Sequence, residues 1–517
     1  MKRSSGVLMH ITSLPGRYGI GTLGASARRF ADFCHRAGLS WWQILPIGPT
    51  GYGNSPYQSD STFAGNPLLI DLEELIGQGL LTCEECEQRS WTALDKKGKP
   101  QTERVDFDRV REQKTALLHL AFRRAGQDSS LWARAEQFFT EEAWWLDDYA
   151  LYLAVKEQQG QKPWQQWEED IRLRRPQAMQ SYRTLLKEEI DYHRFVQFLF
   201  YDQWERFRSY CHCKGVKLIG DIPIYVAPDS SDTWANTRLF EYDADCRPLR
   251  VAGCPPDYFS KTGQLWGNPL YRWDVMEQEG FAWWIARIAA MSRLFDITRI
   301  DHFRGFAGYY AIDAKAETAV DGVWEKGPGM KLFSAVRRQL PKVSLIAEDL
   351  GFITEDVEQL RDRCGFPGMK VLQFAFSPEE ESGYLPHNCP KRAVIYTGTH
   401  DNDTTRGWAH TAAKQERETA ASYLGVSHKK QFAWGMIRAA WTSPCELAIA
   451  PMQDFLNLGT DCRMNLPSTV GGNWEWRMRE GAADQKLAER IRRLTQASWR
   501  LPNYRSGLRA VQQTKED

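Results

Sequence analysis

The fold of this chain is decided by one stretch of sequence, Leu294-Phe295-Asp296-Ile297-Thr298-Arg299-Ile300-Asp301-His302-Phe303-Arg304-Gly305. Its apolar residues end at Ile300 and are typical of a buried β-strand. An ionised Asp301 between two arginines and a histidine is poorly suited to a closed core. It suits the end of a strand, where a charged side chain can face a substrate. We therefore predict a catalytic carboxylate at Asp301, and we assign His302 and Arg304 to the scaffold.

Two further carboxylates stand in the same setting downstream. Glu348 follows the apolar run 343–347, and Asp401 follows the run 393–400. One polar strand end is ordinary, because every strand must stop. Three carboxylates at three apolar strand ends instead indicate a shared site. Asp349 comes next after Glu348, and its side chain would point the opposite way along a strand, so we predict a structural role for it.

The strand pattern recurs along the whole chain. Eight short apolar, β-branched runs are each followed by polar or Gly/Pro turns: Gly6 to Thr12, Trp41 to Ile47, Val216 to Tyr225, Ile297 to Phe303, Val343 to Leu350, Met369 to Phe376, Ala393 to Thr399 and Leu447 to Phe455. Amphipathic helical stretches lie between most of them, for example Ala25 to Ala37, Met330 to Leu340, Thr354 to Cys364 and Lys429 to Trp441. Strand-helix alternation favours parallel pairing. The sequence therefore predicts an α/β fold, a closed (β/α)8 TIM barrel.

The chain is too long for a bare barrel, which needs about 250 residues. We predict that 1–517 is a single catalytic barrel domain with two inserted subdomains. A mainly helical insertion, 71–215, lies between the second and third strands, and its last helix has one apolar face formed by Val196, Phe200, Trp204 and Phe207. A loop-rich insertion, 227–273, lies between the third and fourth strands and carries an aromatic loop.

Composition limits the substrate class. The 66 basic and 66 acidic side chains cancel, so the chain offers no electrostatic footprint for nucleic acid or an anionic membrane. An uncharged substrate fits better. The chain also has 21 Trp, 19 Tyr and 24 Phe, which is consistent with aromatic platforms beneath sugar rings, although most of these residues belong to the core.

Location and redox state follow from two further features. The apolar stretch near the N-terminus is too short for a signal peptide and no stretch reaches membrane-spanning length, so we predict a cytoplasmic protein with no membrane partner. Eleven cysteines without framework spacing predict reduced thiols. The pairs Cys83/Cys86 and Cys211/Cys213 lack a second pair at zinc spacing, so no metal is predicted there. The sequence leaves a monomer or a homodimer open.

The three carboxylates fall where a barrel enzyme carries its chemistry. Asp301 would end strand four, Glu348 strand five and Asp401 strand seven, all at the C-terminal mouth. Two carboxyl groups at such a mouth, one a nucleophile and one an acid/base, suit retaining glycosidic chemistry through a covalent glycosyl-enzyme. The third would stabilise an oxocarbenium-like state or orient the sugar hydroxyls.

Several motifs then match a known family. They are Gly6-Val7-Leu8-Met9-His10-Ile11-Thr12-Ser13-Leu14-Pro15-Gly16, Asn54-Ser55-Pro56-Tyr57-Gln58-Ser59, Gly220-Asp221-Ile222-Pro223, Pro255-Pro256-Asp257-Tyr258-Phe259, Gly263-Gln264-Leu265-Trp266 and Gly471-Gly472-Asn473-Trp474. In these motifs the chain resembles the 4-α-glucanotransferases of glycoside hydrolase family 77, also called amylomaltases or disproportionating enzymes, in their short form. The resemblance extends over nearly the whole chain.

The resemblance implies a role for each site residue. Asp301 would be the nucleophile, Glu348 the general acid/base and Asp401 the transition-state stabiliser. Arg299 and His400 would flank them, and Asp221 would shape the subsite of the reacting glucose. Further sugar contacts are implied for Ser55, Tyr57, Tyr258, Phe259, Trp266 and Asn473.

One motif departs from the wider α-amylase class. There the strand-three motif commonly supplies an Asn and a His after its Asp, for calcium and substrate. Here Asp221 is followed by Ile222-Pro223-Ile224-Tyr225-Val226. This difference argues against a calcium-dependent amylase. No cofactor is implied, because the carboxylates can carry the whole reaction.

The resemblance implies transfer of part of an α-1,4-glucan to the 4-hydroxyl of glucose or another glucan. The partners would be maltooligosaccharides and α-1,4-glucans from starch or glycogen, and attack by the donor's own far end would form a cyclic glucan. Two alternatives stay open at this point. One is an α-1,4-glucan hydrolase of the amylase type, and the other is a non-catalytic glucan-binding protein.

Overall fold

The computed structural model describes residues 2–94, 97–256, 261–351 and 353–502. In these ranges the chain forms twelve strands: β1 (Ser4–Leu8), β2 (Trp41–Gln43), β3 (Lys217–Ile222), β4 (Arg250–Cys254), β5 (Gln264–Pro269), β6 (Ile297–Ile300), β7 (Gly308–Asp313), β8 (Val323–Lys326), β9 (Leu345–Ala347), β10 (Gly368–Val371), β11 (Ala393–Tyr396) and β12 (Leu447–Pro451).

Eight of these strands form one parallel sheet in the order β10-β11-β12-β1-β2-β3-β6-β9. The strand β1 lies between the last strand and the second one, since Gly6 pairs with Ile449 of β12 and with Trp41 of β2. The sheet closes into a barrel between its two outer strands, β9 and β10. There the backbone N–H of Ala347, in β9, donates to the carbonyl oxygen of Pro367, just before β10, at 3.0 Å. The predicted α/β fold with a (β/α)8 barrel is confirmed.

Helices cover the outside of this sheet. The described residues form α1 (Ala25–Ala37), α2 (Leu72–Gly77), α3 (Cys83–Glu87), α4 (Phe107–Ala125), α5 (Ser129–Gln158), α6 (Glu169–Arg172), α7 (Pro176–Leu185), α8 (Lys187–Cys213), α9 (Ser231–Ala235), α10 (Trp273–Gln278), α11 (Ala282–Leu294), α12 (Met330–Gln339), α13 (Glu355–Cys364), α14 (Thr405–Thr411), α15 (Lys414–Leu424), α16 (Phe432–Thr442), α17 (Met452–Phe455) and α18 (Gln485–Ala497). The helix α1 has its predicted bounds, and it ends because Gly38 adopts a left-handed φ of 72°. None of the helices in the described ranges is long and apolar enough to span a membrane.

The helices α2 to α8 occupy the chain between β2 and β3. The predicted apolar face of α8 is buried, with no more than 4% exposure at Val196, Phe200, Trp204 and Phe207. This helix also fixes the loop after β2. The side chain of Gln197 accepts from the N–H of Gly65 at 2.8 Å and donates to its carbonyl at 3.0 Å. The helix α8 thereby supports the loop that carries Ser55 and Tyr57.

A second, antiparallel sheet has the order β5-β4-β7-β8. It was not predicted, and two of its strands lie in the block 227–273, which the sequence indicated to be loop-rich. The central pairing joins Arg250 of β4 to Asp313 of β7, with the barrel strand β6 between them in sequence. Strand formation here depends on a distant partner rather than on local pattern. The sheet carries Trp266, on β5.

Candidate active site

The predicted carboxylates gather at one end of the barrel. Asp301 directly follows β6, and Glu348 directly follows β9. Asp221 is the next-to-last residue of β3, which ends at Ile222. Asp401 lies in the loop after β11. Because the strands are parallel, these positions all belong to the C-terminal mouth, where barrel enzymes hold their active sites.

Arg299 bridges two of these carboxylates. Its Nη1 donates to both oxygens of Asp221 at 2.8 and 2.6 Å, and its Nη2 donates to Oδ1 of Asp301 at 2.7 Å. The register of β3 and β6 places Arg299 opposite Asp221. Burial lowers the pKa of Arg299, but the surrounding carboxylates outweigh this effect and hold the pKa well above its usual value. One cation thus orients two acidic groups.

Asp221 is the more enclosed of the two, with no exposed side-chain surface. Burial raises the pKa of its carboxyl group, while Arg299 acts in the opposite direction. Asp301 keeps 30% of its side chain exposed toward the mouth. The inner carboxylate therefore serves as an anchor, whereas the outer one can reach a bound molecule.

Glu348 lies beside Asp301. Its Oε2 accepts the backbone N–H of His302 at 2.7 Å, and its Oε1 accepts that of Leu350 at 2.9 Å. Burial raises the pKa of Glu348 to about 8, Arg299 opposes this rise, and the negative charge of Asp301 adds to it. At neutral pH the mouth therefore holds a carboxyl group that carries a proton.

The neighbouring Asp349 turns away from this group, as predicted for a structural residue. Its carboxylate accepts from Arg361 and from the backbone N–H of Met369, each at 2.6 Å. The bond to Met369 joins the end of β9 to β10, the pair of strands at which the barrel closes. Asp349 thus contributes to closure, and Glu348 contributes to the mouth.

Tyr57 and His400 form a stacked pair above Asp221. Their ring centroids are 5.0 Å apart at an interplanar angle of 16°. The hydroxyl of Tyr57 donates to Oδ2 of Asp221 at 2.9 Å and lies 3.4 Å from Nδ1 of His400. Ser55 Oγ accepts the N–H of Tyr57 at 3.3 Å, which tightens the turn that presents the ring. Trp474 packs against both rings, with centroids 5.9 and 5.8 Å away.

Asp401 is held from two sides. Asn465 Nδ2 donates to its Oδ1 at 2.6 Å, and His400 Nε2 lies 3.3 Å from its Oδ2. The loop that carries it is anchored further back, where the hydroxyl of Thr397 donates to the buried Asp454 at 2.6 Å. Asn465 and His400 thus fix the side chain of Asp401, which borders the cleft, and Arg463 donates to its backbone carbonyl.

The mouth opens into a cleft of about 550 Å³, and Asp221, Arg299 and Glu348 lie behind the described residues that line it. Its walls include the predicted site residues Ser55, Tyr57, Trp266, Asp301, His400, Asp401 and Asn473. Trp266 stands edge-on to His302 with ring centroids 4.8 Å apart. The amide of Asn473 is engaged within its own loop, where it accepts from Leu466 N–H at 2.9 Å and donates to Thr469 Oγ1 at 3.0 Å. The predicted sugar contacts Tyr258 and Phe259 lie outside the described residues.

Sequence reasoning missed several residues of the cleft, among them Trp474, Asn465 and His302. Trp474 and Asn465 were not singled out, although Trp474 ends one of the family motifs. His302 was assigned to the scaffold, but it lines the cleft. Its φ of 51° is left-handed, a conformation that non-glycine residues rarely adopt and that often marks a functional site. That conformation aims the backbone N–H of His302 at Glu348.

A parallel barrel that gathers a proton-bearing carboxyl, an ion-paired carboxylate and stacked aromatic rings at one mouth has the parts of a glycosidic active site. Fold and site together define a carbohydrate-active (β/α)8-barrel enzyme. Fold alone would not, because barrels host many unrelated chemistries.

Comparison with known proteins defines the family. The profile of the 4-alpha-glucanotransferases of glycoside hydrolase family 77 matches residues 9–483. The 4-alpha-glucanotransferases of Clostridium butyricum and Thermus thermophilus are each 46% identical to this chain, over 94% and 97% of it and 99% and 100% of those proteins. The amylomaltase of Streptococcus agalactiae, solved in complex with acarbose, superposes with a TM-score of 0.93 and 39% identity over 97% of this chain and 100% of that one. This chain belongs to the 4-alpha-glucanotransferase family. The predicted family and enzyme class are confirmed.

Proposed function

We propose that this chain cleaves an α-1,4 bond in a maltooligosaccharide or starch-like glucan and transfers the donor segment to the 4-hydroxyl of an acceptor sugar. One observation carries the proposal: the ion-paired carboxylate Asp301 lies beside Glu348, a carboxyl group with a pKa near 8. A nucleophile and a proton donor are the two groups that a retaining double displacement requires. The names of the relatives and the acarbose-bound neighbour agree with this chemistry.

In the first half-reaction Asp301 attacks the anomeric carbon of the donor. Its Oδ1 is held by Arg299, which leaves Oδ2 to form the new bond. The bond from that carbon to the glycosidic oxygen breaks, and Glu348 gives its proton to the departing oxygen. The products are a glycosyl ester on Asp301, a free 4-hydroxyl on the released sugar, and an ionised Glu348.

In the second half-reaction the ester removes the negative charge of Asp301. Since that charge helps to raise the pKa of Glu348, its loss lowers the pKa, and Glu348 can act as a base. It takes the proton of the acceptor 4-hydroxyl while the acceptor oxygen attacks the anomeric carbon. The new α-1,4 bond forms, Asp301 returns to a carboxylate, and Glu348 is protonated again.

The remaining predicted residues hold the reacting sugar. We assign Asp401 to charge stabilisation at the anomeric centre, because Asn465 and His400 orient its oxygens toward the cleft. Asp221 and Arg299 are buried beneath the cleft, and we assign them to shaping the subsite of the reacting glucose by fixing Tyr57 and Asp301. We assign sugar contacts on the walls to Ser55, Tyr57, Trp266, His400 and Asn473.

Transfer must outrun hydrolysis for this assignment to hold. The aromatic surfaces of Trp266, Tyr57 and Trp474 border the cleft and can bind an acceptor sugar in attack geometry while displacing water. A long donor whose far end reaches the cleft would give a cyclic product. We place the reaction in the cytoplasm, since eleven cysteines without framework spacing predict reduced thiols.

The test is an incubation of the purified protein with maltotriose alone. Glucose, longer glucans and total reducing ends are followed over time. Transfer gives longer chains with an unchanged number of reducing ends. Asp301→Asn should abolish these products, whereas Asp313→Asn, at an exposed strand end of the second sheet, should not. A steady rise in reducing ends without longer products would overturn the proposal in favour of a glucan hydrolase.

A further inference from the structure

A second cluster of ligating side chains lies in the helical insertion. Glu157 stands in the last turn of α5, while Glu189 and His193 stand in the first turns of α8. Among the described residues, these three form the one group of His, Cys, Asp or Glu side chains close enough to share a metal ion. We propose that Glu157, Glu189 and His193 bind a zinc ion that links α5 to α8.

The spacing within α8 suits shared coordination. Glu189 and His193 are four residues apart, so their side chains lie on the same face of the helix. The three ligand atoms lie within 4.8 Å of one another. Tetrahedral zinc with bonds of about 2.1 Å needs separations of roughly 3.4 Å, so a contraction of at most about 1.4 Å completes the site. Glu157 is 41% exposed, and its carboxylate is free to make that movement.

A separate observation points to a ligand at this place. His193 is only 7% exposed, and its Nε2 is buried without a hydrogen-bond partner. Glu157 Oε1 pairs with Nε2 at 3.3 Å and, against the effect of burial, the imidazole lowers the pKa of that carboxyl group, but the pair lacks the alignment of a full hydrogen bond. Buried polar nitrogens are almost always bonded. A metal ion between the ring and the carboxylates satisfies this atom.

Charge favours a cation here as well. Burial raises the pKa of Glu157, but the imidazoles of His193 and His119 outweigh this effect and lower it, so the group is a carboxylate that can bind a cation. Glu189 adds a second carboxylate from α8. An ion of charge +2 neutralises both, and a ligand set of one imidazole and two carboxylates is one that Zn²⁺ accepts, with water in the fourth position. His119, stacked on Tyr192 at 3.6 Å, is the nearest further imidazole and lies outside the three-residue group.

The site is distinct from the barrel mouth. It joins helices of the insertion, and α8 continues from it to Gln197, which holds the loop after β2. We therefore assign the ion a structural role. It should raise the thermal stability of the protein without entering the transfer reaction.

The experiment uses the full chain, stripped with a chelator, and adds Zn²⁺. Calorimetric titration and thermal unfolding are recorded for the wild type, Glu189→Gln and His193→Gln. The matched control is Glu188→Gln, the exposed neighbour outside the cluster. We expect one Zn²⁺ site and a Zn²⁺-dependent rise in Tm in the wild type and the control. Glu189→Gln and His193→Gln should weaken binding by at least about tenfold and lose the rise.

Exposed thiols such as Cys83 and Cys213 could also take up zinc, so Co²⁺ is used as a spectroscopic probe. A spectrum of nitrogen and oxygen ligands without a thiolate charge-transfer band supports the site. An equal Zn²⁺ response in Glu189→Gln and the wild type would overturn it. A Co²⁺ spectrum that shows only thiolate ligands would also overturn the proposed site. A loss of Tm in His193→Gln with no Zn²⁺ response in the wild type would leave an ion pair between His193 and Glu157 instead. Maltotriose transfer should persist after chelation.

Discussion

Glu348 accepts the backbone N–H of His302 at 2.7 Å, and this bond ties the end of β9 to the residue that follows Asp301. The left-handed backbone of His302 aims its N–H at the carboxylate. The backbone of His302 thereby holds the proton donor next to the nucleophile, whose carboxylate Arg299 orients. Their distinct environments, one buried and one ion-paired, separate the acid role from the nucleophilic role.

The pH dependence of transfer should follow Glu348. Because burial raises its pKa to about 8, the group carries the required proton at neutral pH and loses it as the pH rises through that value. We expect kcat/KM for maltotriose to fall about tenfold per pH unit above the pKa. Initial rates between about pH 6 and about pH 10 measure this, with circular dichroism as a control for unfolding. A flat alkaline limb would contradict the assignment.

The same group predicts a pH-dependent stability. Its pKa in the folded state is above the value of about 4.3 in an unfolded chain. Its contribution to stability is therefore fully present below that lower value and is lost as the pH rises toward about 8. Glu348→Gln cannot ionise. Its amide nitrogen cannot accept one of the two backbone N–H groups that Glu348 accepts, so we expect a Tm below that of the wild type in acid. The Tm of the variant relative to the wild type should rise as the pH increases toward about 8, and kcat should fall by about 10²- to 10⁴-fold.

Asp349, the residue after Glu348, should contribute to stability and not to catalysis. Asp349→Asn weakens the ion pair with Arg361 and the bond to the N–H of Met369, so the barrel seam loses about 1–3 kcal/mol. Urea denaturation measures this loss in the free energy of unfolding. The kcat at a temperature below unfolding should stay close to that of the wild type. A large loss of kcat in a fully folded Asp349→Asn would show that this residue also acts in the mouth.

Arg299 should be irreplaceable by lysine. A lysine is a point charge that cannot bond both oxygens of Asp221 and reach Asp301 at once. Arg299→Lys should lower kcat/KM by about 10²-fold or more, since the nucleophile loses its orientation. Arg299→Met should also cost about 3–5 kcal/mol, because it leaves Asp221 buried and unpaired.

A second substitution separates these two effects. In Arg299→Met combined with Asp221→Asn, no buried charge remains without a partner. Stability measured by urea denaturation should recover, whereas transfer should not. Recovery of both would mean that Arg299 acts only in folding.

Tyr57 allows its hydroxyl and its ring to be tested apart. Tyr57→Phe removes the bond to Asp221 and keeps the ring stacked on His400. We expect a fall of about tenfold in kcat/KM, which corresponds to one hydrogen bond of about 1.4 kcal/mol. Tyr57→Ala should lose more, because His400 and Trp474 then lack their packing partner. Equal effects of the two changes would place the whole contribution in the hydroxyl.

The sequence by itself determined the barrel and its acidic residues. Eight local apolar runs alternate with amphipathic helices, as in a parallel α/β fold, and Asp301 and Glu348 directly follow two of those runs. Asp401 was predicted to end the seventh strand, but it lies in the loop beyond β11, which ends at Tyr396. Such patterns depend only on residues a few positions apart, so they are visible without tertiary information.

Only the tertiary structure decided how these parts meet. The antiparallel sheet pairs Arg250 with Asp313 across an intervening barrel strand, and Trp474 reaches Tyr57 from the far end of the chain. The raised pKa of Glu348 likewise has no local signal, because it arises from burial beside a carboxylate 47 positions earlier in the chain, Asp301. Pairing register, burial and charge proximity are properties of residues distant in sequence, and packing alone brings them together.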